Sequence, residues 1–270
     1  MTKAEIKKLV FANLLENGAL LDLENKNFGL IEINLLCKLK EISSLEKLYL
    51  SNNGLKDGEL EALSKFTLSK NITHLYLNHN YIGDHRSKGL RELLNAEWIS
   101  GLKCLMLEAN SIGPKSAVAI AESNRLRNLE TLFLDSNPLG VEGAKILASA
   151  ENMPALKALH LDKTGLGDEG ASVLAGTNTL IGLKNLYLCS NKIGSSGFAA
   201  LVKSPALRAL KVLSVWRNEI RDEGGELLNK DETFPNLERL YMSLNLINRP
   251  MRKIIRSGPL AKRLNVLVMD

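Results

Sequence analysis

LETLFLDSN, residues 129–137, is the stretch on which the fold turns. Leu129, Leu132 and Leu134 are its apolar positions. The last two are spaced two apart, the period of a short strand with one buried face, so Thr131, Phe133 and Asp135 point the other way. Asn137 closes the unit with a side chain able to satisfy backbone groups that a turn leaves unpaired. The same pattern, apolar at positions one, four and six, begins at Leu45, Ile72, Leu102, Leu129, Leu156, Leu183, Leu210, Leu237 and Leu264. Successive starts are 27 residues apart, except for 30 between Ile72 and Leu102. The closing residue is Asn53, Asn80, Asn110, Asn137, Asn191, Asn218 or Asn245, with Thr164 once. Such regularity marks a repeat array, and the asparagines read as structural elements of it rather than as catalysts.

After each turn comes Leu or Ile, often Gly, and then a segment with apolar residues at helical spacing. Examples are LGVEGAKILASAENM (139–153), LGDEGASVLAGT (166–177) and IGSSGFAALVKS (193–204); Ala144, Leu147 and Ala148 form one such stripe. A strand and a helix repeated in one sense require parallel strands on one side and helices on the other. Helices are wider than the ~4.8 Å strand spacing, so the stack must curve. The expectation is an α/β solenoid, a horseshoe with a parallel β-sheet on the concave face and α-helices on the convex face.

Residues 1–44 are read as a capping helix and a degenerate first repeat. Thr2 and Glu5 form a capping box, Gly18 is placed to end the helix, Leu21, Leu23 and Phe28 point inward, and Lys26 stands where the asparagine belongs. Residues 45–270 hold eight full units and a terminal strand in one continuous domain. The ending NVLVMD leaves a parallel edge strand, so a monomer is expected, with edge-strand self-association as the alternative.

The LxxLxLxxNxIG stretches, with DEG following at Asp168–Gly170 and Asp222–Gly224, resemble the ribonuclease-inhibitor-like class of leucine-rich repeats. That class also includes the Ran GTPase-activating protein and the sensor arms of NOD-like receptors. The resemblance covers about five-sixths of the chain, from Leu45 to Asp270. It implies the fold and a binding site on the concave face and adjacent loops. It implies no particular activity, because the scaffold serves many unrelated uses. The alternating cysteine enrichment of mammalian ribonuclease inhibitor is absent, which argues against that activity.

Composition narrows the function. The chain has 270 residues, of which 45% are hydrophobic and only 5% aromatic, so its core consists of many small equivalent sites. No apolar run of membrane-spanning length occurs, and the N-terminus lacks the apolar segment of a signal peptide. Cys37, Cys104 and Cys189 are odd in number and widely spaced. That usage points to a reducing compartment: the cytoplasm, or a host cytoplasm for a secreted bacterial effector. The net charge of +5 is C-terminal, since residues from Lys203 onward carry 13 Lys/Arg against 8 Asp/Glu. Its main contributors are Arg249, Arg252, Lys253, Arg256, Lys262 and Arg263. They fall in INRPMRKIIRSGPLAKRL, which reads as a last helix opened by Pro250 and ended before Gly258, with Met251, Ile254 and Ile255 buried. No aromatic or Gly-rich elements accompany the charge, so neither a nucleic acid nor a membrane is the expected partner.

The candidate site lies on the outward strand positions. The position between the two inward residues reads Tyr49, Tyr76, Met106, Phe133, His160, Tyr187, Ser214, Tyr241 and Val268. Five of these nine are Tyr or Phe, where 5% aromatic content would supply fewer than one. Strand propensity alone favours rings there, but less strongly than that. Rings in a row also suit a protein interface. The next outward column contains Glu108, Asp135 and Asp162, read as an acidic patch for a basic feature of the partner, with Trp216 and Arg217 at its border. A solvated acidic stripe near Lys103 and Lys163 is the alternative.

Catalysis and metal binding are not expected. Three carboxylates and a histidine are hard ligands, yet they lie on an open face, and GxxxxGK[ST], HExxH, GxSxG and CxxC are all missing. His74, His79 and His85 fall on different sides of a strand and turn. Trp98 lies in the three-residue enlargement before Leu102, where a secondary contact is conceivable. The reading is a non-catalytic, cofactor-free protein-interaction module. A regulator of a small GTPase, by family analogy, and an effector or adaptor scaffolding in a host cytosol are the alternatives.

Overall fold

A computed structural model describes residues 1–67, 71–83, 87–230 and 232–270. The chain divides into two compact units, Met1–Asn137 and Pro138–Asp270.

The first unit runs α1 (Lys3–Ala12), β1 (Leu14–Leu15), β2 (Leu20–Asp22), α2 (Leu30–Leu36), β3 (Lys47–Tyr49), α3 (Asp57–Ser64), β4 (His74–Tyr76), α4 (Lys88–Leu94), β5 (Cys104–Met106), α5 (Pro114–Ala121) and β6 (Thr131–Phe133). From β2 to β6 the strands are parallel and lie in sequence order, with Leu21, Leu48, Leu75, Leu105 and Leu132 in register. In the second unit α6 (Gly140–Ala148) precedes β7 (Ala158–His160), α7 (Gly167–Gly176), β8 (Asn185–Tyr187), α8 (Ser195–Lys203) and β9 (Val212–Ser214). There follow α9 (Asp222–Glu226), β10 (Arg239–Tyr241), α10 (Arg249–Ser257), α11 (Pro259–Arg263) and β11 (Val266–Val268). Leu159, Leu186, Leu213, Leu240 and Leu267 share the register of its parallel strands. This alternation of short parallel strands with helices fits a leucine-rich-repeat solenoid.

Each parallel strand is three residues long because only its central side chain needs to enter the core. The central leucines from Leu21 to Leu240 are at most 2% exposed, and helix residues such as Leu60, Ile120, Ala171 and Leu174 close over them. The closing asparagines, which are mostly buried, join one repeat to the next. Asn80 is typical: its Oδ1 accepts from the backbone N–H of Asn53 and Leu55, both at 3.0 Å. Its Nδ2 donates to the carbonyls of Leu50 and Leu77, at 3.1 and 2.9 Å. Asn218 does the same for Asn191, Ile193, Leu188 and Val215. Thr164, lacking an amide, donates its hydroxyl to the Leu161 carbonyl instead.

The DEG sequence also acquires a structural reason. Asp168 Oδ1 accepts from the N–H of Gly194 and Gly197, at 2.6 and 3.0 Å, and its other oxygen from the Ser196 hydroxyl, so it caps the start of the following helix. Asp222 instead holds Asn248, the cap of α10, by accepting from its backbone N–H and its Nδ2, while Asn248 Oδ1 accepts from the Met251 N–H. Gly197 lets adjacent helices approach, since a Cβ there would lie 2.8 Å from Asp168 Cα, whereas Gly170 and Gly224 of the DEG sequences pack against Leu166 and Ile220 of their own repeats.

At the N-terminus the capping box of Thr2 and Glu5 forms, and Leu21, Leu23 and Phe28 are buried. The Lys26 backbone occupies the asparagine's place by donating to Asn53 Oδ1. Gly18 does not end α1. The helix stops at Ala12, where Asn13 donates its Nδ2 to the Leu9 carbonyl, and Leu14–Leu15 then pairs antiparallel with Leu20–Leu21. Gly18, at φ +92°, sits in the tight turn of that hairpin, where a side chain would be strained.

Trp98 and the last helix also differ from expectation. Trp98 is 4% exposed and packs edge-on against Phe66, with ring centroids 5.8 Å apart. The enlarged repeat therefore adds core and offers no ring for an outside contact. The helix of residues 249–257 is capped by Asn248 and stops before Gly258 as expected, but Ile255 is buried while Ile254 is 50% exposed.

Candidate functional site

Strand alternation turns one side chain inward and leaves its two neighbours outward, so each strand offers ring and polar positions to the open face of its own sheet. In the first unit that face carries Tyr49, Tyr76, Met106 and Phe133, all half-buried. Tyr49 and Tyr76 are paired in the β3–β4 register, and their rings stack at 3.9 Å between centroids and 7° between planes. The His74 ring lies nearly parallel to that of Tyr76, at 13° and 6.4 Å between centroids. Burial, then a hydrogen bond with Tyr49, raises the Tyr76 hydroxyl above the ordinary phenol range. Burial lowers His74, assisted by the positive charges of Lys47 and Lys103. Both groups are therefore uncharged near neutral pH, and they form an aromatic shelf flanked by Lys47 and by Asp22, the register partner of Tyr49.

In the second unit His160 stacks on Tyr187 at 4.1 Å and 13°. Burial pushes His160 down to about 4, so it too is neutral at pH 7. Tyr241 is half-buried, whereas Ser214 is buried at 6% exposure and interrupts the rings. Trp216 is 37% exposed and Arg217 is exposed beside it.

The acidic column has two different characters. In the first unit Glu108 and Asp135 are half-buried on the ends of adjacent strands, and the Ala109 N–H donates to the Asp135 carbonyl at 2.9 Å. In the second, Asp162 Oδ1 accepts from the Cys189 N–H at 2.6 Å. That carboxylate is engaged with a strand-end amide, so the acidic column is structural at this position. Asn78 has the same role in the first unit, where its Oδ1 accepts from the Glu108 N–H at 2.9 Å.

All three cysteines are free thiols, and burial raises each, Cys37 to about 12 and both Cys104 and Cys189 to about 11. His74 is half-buried on a strand, His79 is exposed on a turn, and His85 lies outside the described residues. Among the described residues no group of His, Cys, Asp and Glu could hold a metal ion, and no helix is long and apolar enough to cross a membrane. The basic C-terminal residues are partly committed within the chain. Arg263 donates to the carbonyls of Pro235 and Thr233, at 3.1 and 2.8 Å, and Arg256 to that of Met269.

Two stretches match family models described as leucine-rich repeats. One covers residues 44–66, which include β3 and α3; the other covers 152–175, which include β7 and most of α7. The chain carries leucine-rich repeats. Leucine-rich-repeat domains generally mediate protein–protein interaction and are generally non-enzymatic scaffolds. No curated protein matched the chain.

Sequence reasoning picked out the outward columns but not the ring partners, because stacking depends on side-chain angles that the repeat pattern does not encode. It also overlooked the turns after the strands, where Lys163, Ser190, Lys192 and Arg217 adopt left-handed backbone conformations.

Proposed function

We propose that this leucine-rich-repeat protein is a non-catalytic interaction module that binds a protein partner on the open, concave face of its strands. The observation that carries this reading is the Tyr49–Tyr76 stack: two rings held parallel at 3.9 Å on the outward face and half-buried. A pre-stacked pair has already lost its rotamer freedom, so a partner gains large contact area at little further ordering cost. The His160–Tyr187 stack repeats the device in the second unit. In the first unit Met106 and Phe133 extend the apolar contact and Glu108 and Asp135 supply acceptors for a basic feature; in the second unit Tyr241 extends it. Trp216 and Arg217 frame it in the second unit. The ribonuclease-inhibitor-like character of the LxxLxLxxNxIG units agrees with such a use. Quantitative affinity capture tests it, comparing the intact protein with Tyr49→Ala/Tyr76→Ala, Tyr187→Ala and a helix-side control, Lys115→Ala. Specific partners should be depleted by the ring variants and retained by the control. Equal recovery by all of the proteins would refute the strand-face reading.

A further inference from the structure

Beyond the strand face, the turns that leave the strands carry a left-handed residue in both units, among them Asn52, His79 and Ala109 in the first, and in the second unit two of these residues are cationic. Three successive repeats leave their strands through left-handed residues: Lys163 at φ 54°, Ser190 at 56° and Arg217 at 55°. The three turns are stitched together by backbone bonds of 2.8–2.9 Å, from Lys163 N–H to the Cys189 carbonyl, Ser190 N–H to that of Trp216, and Arg217 N–H to that of Ser243. Neighbouring turns should therefore follow the strand spacing of about 4.8 Å, which places Lys163 one repeat before Ser190 and Arg217 one repeat after it. Lys192, at φ 58°, rises from the same turn as Ser190.

These four residues, with Asn218 and Glu219, line a cavity of about 480 Å³. Lys163, Lys192 and Arg217 are exposed, and none of them makes an ion pair among the described residues. Glu219 is the one carboxylate of the lining, which leaves a surplus of two positive charges. Ser190 adds an enclosed hydroxyl without a hydrogen-bond partner. Leaving a buried hydroxyl unmet costs free energy that a suitable acceptor would recover. The left-handed conformation of the three turns is disfavoured for residues other than glycine, so the surrounding structure must hold the backbone of these turns in place.

We propose that this cavity binds a phosphate monoester. Such a group carries a charge near −2 at pH 7 and three strong acceptor oxygens, matching the lining's charge surplus and its three cationic donors. A carboxylate offers half the charge and two oxygens, and would leave one cation unmet. The site lies on the turns and shares only Arg217 with the strand-face site proposed above, so a test through Lys163 and Lys192 is read independently of the ring-mediated binding.

The test is an amide chemical-shift titration of the whole protein with inorganic phosphate, a phosphoserine peptide, its unphosphorylated form and acetate. Phosphate probes should give saturable shifts centred on residues 163, 190, 192 and 217. Lys163→Ala and Lys192→Ala should each weaken binding about tenfold, the effect of one lost charge-assisted contact, while leaving the remaining spectrum in place. A tighter fit for the phosphopeptide assigns the ligand to a phosphorylated protein, and equal affinity assigns it to a free phosphate compound; either outcome keeps the site. Failure of both phosphate probes to saturate by roughly ten millimolar would overturn the proposal. So would shifts that survive both substitutions, or acetate binding as well as phosphate.

Discussion

Replacing Asn218 by alanine removes both halves of one ladder rung. Asn218 is 5% exposed; its Oδ1 accepts from the N–H of Asn191 at 2.9 Å and of Ile193 at 3.0 Å, and its Nδ2 donates to Leu188 and Val215 at 2.9 and 3.0 Å. The Val215 carbonyl keeps a second donor, Asn245 Nδ2 at 2.9 Å, so it is not orphaned. The loss therefore rests on two buried N–H groups and one carbonyl. An orphaned buried group costs about 1–3 kcal/mol, and carbonyls tolerate loss better than N–H groups, so Asn218→Ala should destabilise the protein by about 3–5 kcal/mol. Asn218→Thr provides the internal comparison, because Thr164 shows that a hydroxyl can serve one carbonyl of the rung, at 2.6 Å. That variant should fall roughly midway between the native protein and Asn218→Ala. Urea denaturation gives the magnitudes, and hydrogen exchange should show the amides of Asn191 and Ile193 losing protection first. A change below about 0.5 kcal/mol with unaltered exchange at those two amides would refute the view that the asparagines hold the repeats together.

Gly197→Ala should destabilise by about 1–3 kcal/mol, since the new Cβ would meet Asp168 Oδ1 at 2.6 Å and Asp168 Cα at 2.8 Å. Gly176→Ala, with nothing within 4 Å, should be neutral or slightly stabilising; thermal melts distinguish the two. The thiols of Cys37, Cys104 and Cys189, raised to about 12, 11 and 11, should be alkylated slowly at pH 8, which mass spectrometry can follow. Labelling as fast as that of a free thiol would contradict their burial. His160, held near 4 by burial against an ordinary 6.5, resists protonation in the fold. Its contribution to stability is complete above pH 6.5 and is lost as pH falls from 6.5 toward 4. An imidazole NMR titration with a midpoint near 6.5 would show the burial to be wrong.

The repeating units were legible in the sequence because two physical constraints act on every unit. A three-residue strand must put Leu132 or Leu186 inward, and a buried turn must find partners for its backbone, which the Asn137 or Asn191 amide supplies. What was not legible depended on tertiary choices. Gly18 has the chemistry of a helix stop, but β1–β2 pairing moves the stop back to Asn13. Loop length alone would leave Trp98 outside, and the Phe66 ring draws it into the core. Asp162 looks like a free surface acid in sequence and Asp168 only like part of a DEG motif; hydrogen bonds to backbone N–H groups one repeat away show Asp162 holding a strand end and Asp168 capping a helix. The ring positions were visible as a column, whereas the pairing of Tyr49 with Tyr76 and of His160 with Tyr187 came only from side-chain geometry.

Site-specific photo-crosslinking tests strand-face binding most directly. A benzophenone side chain would be placed in turn at Tyr76, at Tyr187 and, on the helix side, at exposed Lys115 and Glu169. Binding on the strands predicts covalent adducts to the same protein partner from Tyr76 or Tyr187 and none from Lys115 or Glu169. Adducts arising only from Lys115 or Glu169 would contradict it.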